Sequence, residues 1–177
     1  FVGVWSGNSN TLFLNNATFG NMTNGTCNLA SGSCPIFNES NPRFGRTGLT
    51  FDGVNDSLNV SSSSGNFNFG NRDFAIEFWI NPSNSSLMRI VGIYGLGIYS
   101  WIVRTSVSST NLVFDYSTDN ANTFNAITSA ITFTKNQWSH YVVTRSGNNI
   151  FIYENGQQVG TASFTATIAN AVADLSI

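Results

Sequence analysis

Charged side chains are scarce in this sequence of 177 residues. They make up 9% of the chain, against roughly 25% in an average soluble protein. Lys135 is the only lysine, and the six arginines are scattered along the chain. A formal net charge of −2 without a basic cluster excludes a nucleic-acid partner, because phosphate neutralisation requires several cations on one face. The same scarcity excludes electrostatic attachment to an anionic membrane.

Long hydrophobic runs are also missing. The longest mostly apolar stretch, Met88–Val103, is interrupted by Arg89, Ser100 and three glycines, which predicts two strands and a turn and no membrane insertion. The first residues lack the cationic flank and apolar core of a signal peptide. We therefore expect any secretory signal to have been removed already.

Cysteine and histidine are too few for a zinc site, which needs four ligands, since the chain holds two Cys and one His. Cys27 and Cys34 lie in a short polar loop with Gly32 between them. An even count at short spacing predicts a local disulfide in an oxidising compartment. Two free thiols are the alternative, although free Cys prefers apolar surroundings.

Asparagine, by contrast, is abundant, and seven Asn-x-Ser/Thr sequons occur. Their number is close to what the Asn, Ser and Thr content gives by chance, but four lie in the loop-like first 40 residues, where a glycan would be solvated. We predict N-glycosylation in an extracellular location. The predicted sites are Asn16, Asn21, Asn24, Asn38, Asn59 and Asn84, with Asn55 the least suitable because its turn is tight.

From residue 47 onward, apolar residues alternate with polar ones. In the segment 73–81, Phe74, Ile76, Phe78 and Ile80 share one face, which is typical of a strand with one buried side. The dipeptide Asn155-Gly156 lies between two short apolar runs and predicts a hairpin. Ten short strands are predicted in all, near residues 47–51, 56–60, 73–81, 87–93, 96–104, 111–117, 124–133, 138–145, 149–154 and 157–166.

No segment offers a convincing amphipathic helix, so the pattern predicts an all-β, antiparallel sandwich of two sheets. Residues 1–46 are rich in Asn, Gly and Ser. They are predicted to wrap the core, residues 47–177, as an edge strand and a long loop. The whole chain, residues 1–177, is interpreted as one domain.

Four segments in order resemble laminin-G-like domains of the concanavalin A-like lectin/glucanase superfamily. They are an opening strand and turn at 49–60, a core strand at 74–82, a W-x-H strand at 137–145 and a Y-x-N-G hairpin at 152–160. The resemblance covers residues 43–177 and implies a jelly roll. It also implies an extracellular module for adhesion or for binding a glycan or a cell or virion surface.

The chain differs from the family in one respect. The family continues past the segment resembling 173–177 with a final strand, which here is either outside the sequence or supplied by a neighbouring chain. The second possibility leads to an alternative function: a glycosylated structural subunit or decoration of a filament, sheath or virion. Such a subunit would form a homopolymer by strand complementation.

Enzymatic activity is not expected. Glycoside hydrolysis needs two carboxyl groups at a defined separation, and no Asp/Glu-x-Asp/Glu pair occurs on any predicted strand. His140 shares a strand face with Trp138 and Val142, and no acid lies close to it in sequence. We therefore interpret His140 as a structural histidine.

Two further groups of residues have both a binding and a structural interpretation. Asp52, Asn55 and Asp56 lie in one turn and are candidate Ca²⁺ ligands, but such residues also form turns by bonding their own backbone. No other cofactor is expected. Tyr99 and Trp101, beside a glycine-rich turn, are candidates for stacking on a sugar. Packing in the core is the alternative.

Overall fold

The structure is a computed structural model. It describes residues 2–6, 35–45, 48–60, 67–83, 87–95, 97–106, 111–121, 125–129 and 134–177. Within these ranges the chain forms thirteen β-strands and no helix. The predicted all-β class is therefore confirmed.

Two antiparallel sheets form the body of the molecule. The five-stranded sheet has the order β1 (Val2–Ser6), β5 (Phe74–Ile80), β10 (Ser139–Ser146), β11 (Asn149–Glu154) and β12 (Gln157–Ser163). The six-stranded sheet has the order β4 (Asn59–Val60), β13 (Leu175–Ser176), β6 (Arg89–Gly95), β7 (Ile98–Thr105), β8 (Leu112–Tyr116) and β9 (Asn125–Thr128). A separate two-stranded ribbon pairs β2 (Ile36–Asn38) with β3 (Gly48–Thr50). This is the predicted jelly-roll sandwich.

The core lies between the two sheets, and strands such as β5 and β10 turn alternate residues toward it. On β5 the inward residues Phe74, Ile76 and Phe78 are at most 4% exposed, whereas Glu77 and Trp79 on the other face are half-buried. Across the core, the six-stranded sheet contributes Val91, Ile93, Trp101, Val103, Leu112, Phe114, Ile127 and Leu175. The alternation predicted for segment 73–81 is therefore confirmed.

All ten predicted strands have a counterpart in the described residues. The hairpin at Asn155-Gly156 has the positive φ angles, 49° and 83°, that its turn requires, and it joins β11 to β12 with Glu154 opposite Gln157. Strand β1 is an edge strand, as predicted. Strand β13, near residue 177, is paired on both sides, with β4 and with β6.

One end of the sandwich is crossed by the segment 164–173, which is tied to it by a buried cation. Arg145 is 5% exposed and donates to the carbonyl oxygens of Gly147, Gly70 and Ala166. Its guanidinium also lies 4.8 Å from the centre of the Phe164 ring. The charge of Arg145 is therefore stabilised by carbonyl dipoles and an aromatic face, and none of the described carboxylates forms an ion pair with it.

Candidate functional site

A cleft of about 610 Å³ opens between the β2–β3 ribbon, the turn at residues 51–57, and the adjoining ends of β5 and β6. Its lining combines aromatic rings, amide side chains and charged groups above an apolar floor. The aromatic members are Phe51, Phe78, Trp79, Tyr94 and Trp138, the amide members are Asn38, Asn41, Asn55, Asn81 and Asn136, and the charged members are Asp52, Asp56 and Arg89. Such a mixture suits a ligand that has both apolar faces and hydroxyl groups.

Trp138 precedes β10 and is a half-buried ring in the wall of this cleft. Its indole Nε1 donates a hydrogen bond to Asn41 Oδ1 at 3.2 Å. The bond joins two segments that lie 97 residues apart and fixes the orientation of the ring. A fixed, partly exposed indole can present an aromatic face to a ligand without a large entropic cost.

Trp79 also lines the cleft, but other groups of the chain already lie against its ring. The Arg43 guanidinium lies 4.1 Å from the indole centre, the His140 ring stacks at 4.9 Å, and Phe44 contacts it edge-on at 5.5 Å. These contacts dock the loop that follows β2 onto the five-stranded sheet. Trp79 therefore builds the wall and is less suited than Trp138 to stack on a ligand.

His140 has an acidic partner that sequence reasoning missed. Its Nε2 lies 2.8 Å from Glu77 Oε1 on the neighbouring strand β5, because the register places His140 opposite Trp79 and Glu77 one step further along the same face. The ring also stacks on Trp79. These contacts agree with the interpretation of His140 as a structural histidine. The sequence held one signal for the pair: alternation on both strands places Glu77 and His140 on outward faces.

The turn at 51–57 carries the three candidate calcium ligands. Asp52 Oδ1 accepts the backbone N–H groups of Val54 at 2.8 Å and Asn55 at 3.4 Å, and Asp56 Oδ2 accepts the N–H of Asp52 at 2.7 Å. The bond from Val54 holds the pKa of Asp52 below its usual value of 3.8. Both carboxylates thus form turn hydrogen bonds, and the described residues contain no group of three or more acidic, His or Cys side chains that could hold a metal.

Arg89 and Tyr94 form the part of the cleft contributed by β6. The Arg89 guanidinium lies 5.5 Å from the centre of the Tyr94 ring. Burial raises the pKa of the Tyr94 hydroxyl, so this group is neutral at physiological pH and can donate a hydrogen bond. Arg89 itself is exposed.

The two residues proposed for sugar stacking lie outside the cleft. Trp101 is 0% exposed. Its ring stacks on Phe69 at 4.8 Å, and its Nε1 donates to the carbonyl of Phe67. Trp101 is therefore a core residue, as the alternative of packing in the core predicts, and its ring is not accessible for stacking on a sugar. Tyr99 is half-buried on β7, opposite Tyr94.

The predicted disulfide and most of the predicted glycosylation sites lie outside the described residues. These are Cys27, Cys34, Asn16, Asn21, Asn24 and Asn84. Asn38 lies in β2, donates to Thr50 Oγ1 and accepts the N–H of Ser40. Asn59 lies in β4 and accepts a hydrogen bond from Ser176 Oγ.

We predict that stability depends little on acidity. Backbone N–H donors lower the pKa of Asp52 and Asp119, so the stability that these groups contribute is present above pH 3.8 and is lost as pH falls below it. Burial raises the pKa of Asp115, although Arg104 opposes this. Its folded form therefore takes up a proton at higher pH than its unfolded form, and its contribution to stability grows on acidification.

The contribution of Asp115 to stability changes with pH in the opposite direction to the contributions of Asp52 and Asp119, and the chain has few other carboxylates. We expect the thermal midpoint to change by less than about 10 °C between pH 7 and pH 3, measured by circular dichroism at constant ionic strength. A fall of more than about 20 °C would show instead that a few ionised carboxylates dominate stability.

The family of this chain follows from its sequence as well as its fold. A laminin-G model of the concanavalin A-like lectin/glucanases superfamily matches residues 52–177, and the chain belongs to this superfamily. No curated protein matches the sequence. The described residues contain no helix long and apolar enough to cross a membrane.

Several solved structures share the fold at low sequence identity. The binding domain of botulinum neurotoxin serotype G is 17% identical with a TM-score of 0.57, over 83% of this chain and 39% of that one. A structure of botulinum neurotoxin type C is 16% identical with a TM-score of 0.56, over 100% of this chain and 42% of that one. The cell entry of that toxin depends on interaction with two ganglioside molecules.

The endo-β-1,4-glucuronan lyase of the fungus Trichoderma reesei is 12% identical with a TM-score of 0.55, over 100% of this chain and 82% of that one. At these identities the likeness shows the fold alone. This chain spans about two fifths of the length of the toxin chains.

Proposed function

We propose that this domain is a non-enzymatic, glycan-binding module and that the cleft beside the 51–57 turn is its binding site. The observation that carries the proposal is the lining of that cleft, where Trp138 and Phe51 stand among five asparagine side chains. Aromatic rings pack against the C–H faces of a sugar, while amides donate to and accept from its hydroxyl groups. The superfamily and a structural neighbour that interacts with gangliosides add support.

The residues that line the cleft suit ligand binding better than catalysis. Asp52 and Asp56 are the two acids in the lining, and each already accepts backbone N–H bonds within its own turn. The backbone hydrogen bonds to Asp52 lower its pKa, whereas a general acid in glycoside hydrolysis needs a raised pKa. The lyase among the structural neighbours shares the fold at 12% identity, which does not transfer an activity.

The proposal places the domain outside the cell or on its surface, with a role in adhesion. A surface poor in charge and rich in Asn, Ser and Thr suits such display. The expected disulfide and N-glycans belong to the same compartment.

The test is binding of the purified protein to a glycan array, followed by titration of a retained glycan. Trp138→Ala should weaken binding about 10-fold or more, because it removes the aromatic platform. Trp138→Phe, which keeps a ring, should retain most of the affinity. Tyr153→Ala is the matched control, since Tyr153 is a half-buried aromatic residue of the same sheet that does not line the cleft.

Two results would contradict the proposal. One is an array on which no glycan is retained by the folded protein. The other is a retained glycan whose affinity is unchanged by Trp138→Ala, which would place its site elsewhere.

A further inference from the structure

Arg89 is the one cation among the residues that line the cleft. It stands at the start of β6 and is exposed. Within the described part of the chain it takes part in neither of the two ion pairs, although Asp52 and Asp56 line the same cleft. A guanidinium carries five N–H donors in a planar fork that matches a carboxylate.

The other described arginines have their donors or their faces occupied. Arg104 binds Asp115 with two nitrogens, Arg145 donates to three carbonyl oxygens, and Arg72 donates to the carbonyls of Phe69 and Asn68. The fourth, Arg43, lies over two aromatic rings. Among the residues that the structure describes, the Arg89 side chain has only the distant ring contact with Tyr94 at 5.5 Å.

The contact with Tyr94 orients the Arg89 guanidinium but leaves its N–H donors unused, because the attraction is between the positive charge and the face of the ring. Tyr94 is itself half-buried and anchored in the sheet. The floor beside it includes Ile90 and Phe78, both buried. Low polarity at the floor strengthens a charge-assisted hydrogen bond formed there.

The acids in the cleft are confined to a different wall. Asp52 and Asp56 belong to the turn at 51–57, where Asp52 is exposed, so that water screens its charge, and Asp56 is half-buried. A ligand with one carboxylate would therefore bind with that group at the β6 wall and its hydroxyls toward the turn. A polyanion with charges along its length would meet both carboxylates and no second cation.

We infer that Arg89 is a specificity-determining residue that binds a sugar carboxylate, so that the module selects glycans carrying a single uronic or sialic acid at the site over their neutral counterparts. This inference rests on the proposed function and adds the class of ligand. Arg89 would contribute two parallel N–H···O bonds to the carboxylate.

The experiment compares matched pairs of oligosaccharides that differ in the carboxylate. The pairs are 3′-sialyllactose against lactose, and cellobiouronic acid, which carries one carboxylate, against cellobiose. Affinities are measured by isothermal titration calorimetry with the full chain. We expect at least one acidic member to bind about 10-fold more tightly than its neutral partner, as a charged hydrogen bond would provide.

Arg89→Gln should abolish that preference, so that the acidic and neutral members bind to the variant with equal affinity. Arg89→Lys should keep part of the preference, because it retains the charge and loses the fork. Lys135→Gln is the control, since Lys135 is also an exposed cation but does not line the cleft. The thermal midpoint of each variant shows whether it is folded.

Equal binding of acidic and neutral members by the wild-type protein would overturn the inference and leave the proposed function standing. A preference that survives Arg89→Gln would overturn it as well, since another group would then bind the carboxylate. If neither member of any pair binds and the glycan array is also empty, the proposed function fails and the inference fails with it.

Discussion

Replacing Trp101 with alanine is expected to lower the free energy of unfolding by about 3–5 kcal/mol. The side chain is fully buried between the sheets, stacks on Phe69, and donates its indole N–H to the carbonyl of Phe67 at 2.9 Å. Alanine would leave a large cavity and a carbonyl without its donor. The thermal midpoint should fall by roughly 10 °C or more, measured by scanning calorimetry.

Trp138→Ala is the matched control for this prediction. Trp138 is half-buried at the surface of the cleft, so its removal should cost less stability and more ligand affinity. Trp101→Ala should cost more stability but no ligand affinity, so the fraction that remains folded should bind the ligand as the wild-type protein does. A Trp101→Ala variant that loses less than about 1 kcal/mol of stability would contradict a core position for this ring.

The second large effect is expected at Gly92, where β6 lies very close to β7. A Cβ atom built on Gly92 would lie 2.5 Å from the carbonyl oxygen of Trp101 and 2.8 Å from the Cα of Ile102. Both are backbone atoms of the paired strand, so they cannot yield as the end of a side chain can. Gly92→Ala should therefore destabilise the protein by about 2–4 kcal/mol through overpacking and displacement of the strand.

Gly95→Ala provides the control in the same strand, because a Cβ there meets nothing within 4 Å. Chemical denaturation of both variants gives the comparison, and we expect Gly95→Ala to lie within about 0.5 kcal/mol of the wild-type protein. If the two substitutions proved equally mild, the close approach of β6 and β7 at Gly92 would be wrong.

Alternation explains why most of the fold was predictable. A strand that is buried on one face has a period of two in its sequence, and strands β5, β10 and β11 show this alternation. The Asn155-Gly156 turn is equally local, because its positive φ angles favour these two residue types. Strands β2 and β13 have three and two residues, too few for a period to be recognised.

The candidate site was not predictable in the same way. Sequence alone pointed to Tyr99 and Trp101 because they adjoin a glycine-rich turn, but the fold buries Trp101 and builds the cleft around Trp138. The described walls of that cleft come from Asn38, Asn41, residues 48–57, 78–83 and 87–90, and Tyr94, Asn136, Trp138 and Ile177. No local pattern connects such distant segments, because their meeting depends on the order of strands in each sheet.

By itself the sequence determined the class of fold, the positions of the longer strands and the inward faces of strands such as β5. Those features follow from local backbone preference and from the burial of alternate side chains. Only the tertiary structure decided that Glu77 meets His140, that Arg43 lies on Trp79, and that Arg89 stands in a cleft without an acid partner among the described residues. These are contacts between strands or loops far apart in the chain, and register and packing, which no single segment encodes, fix them.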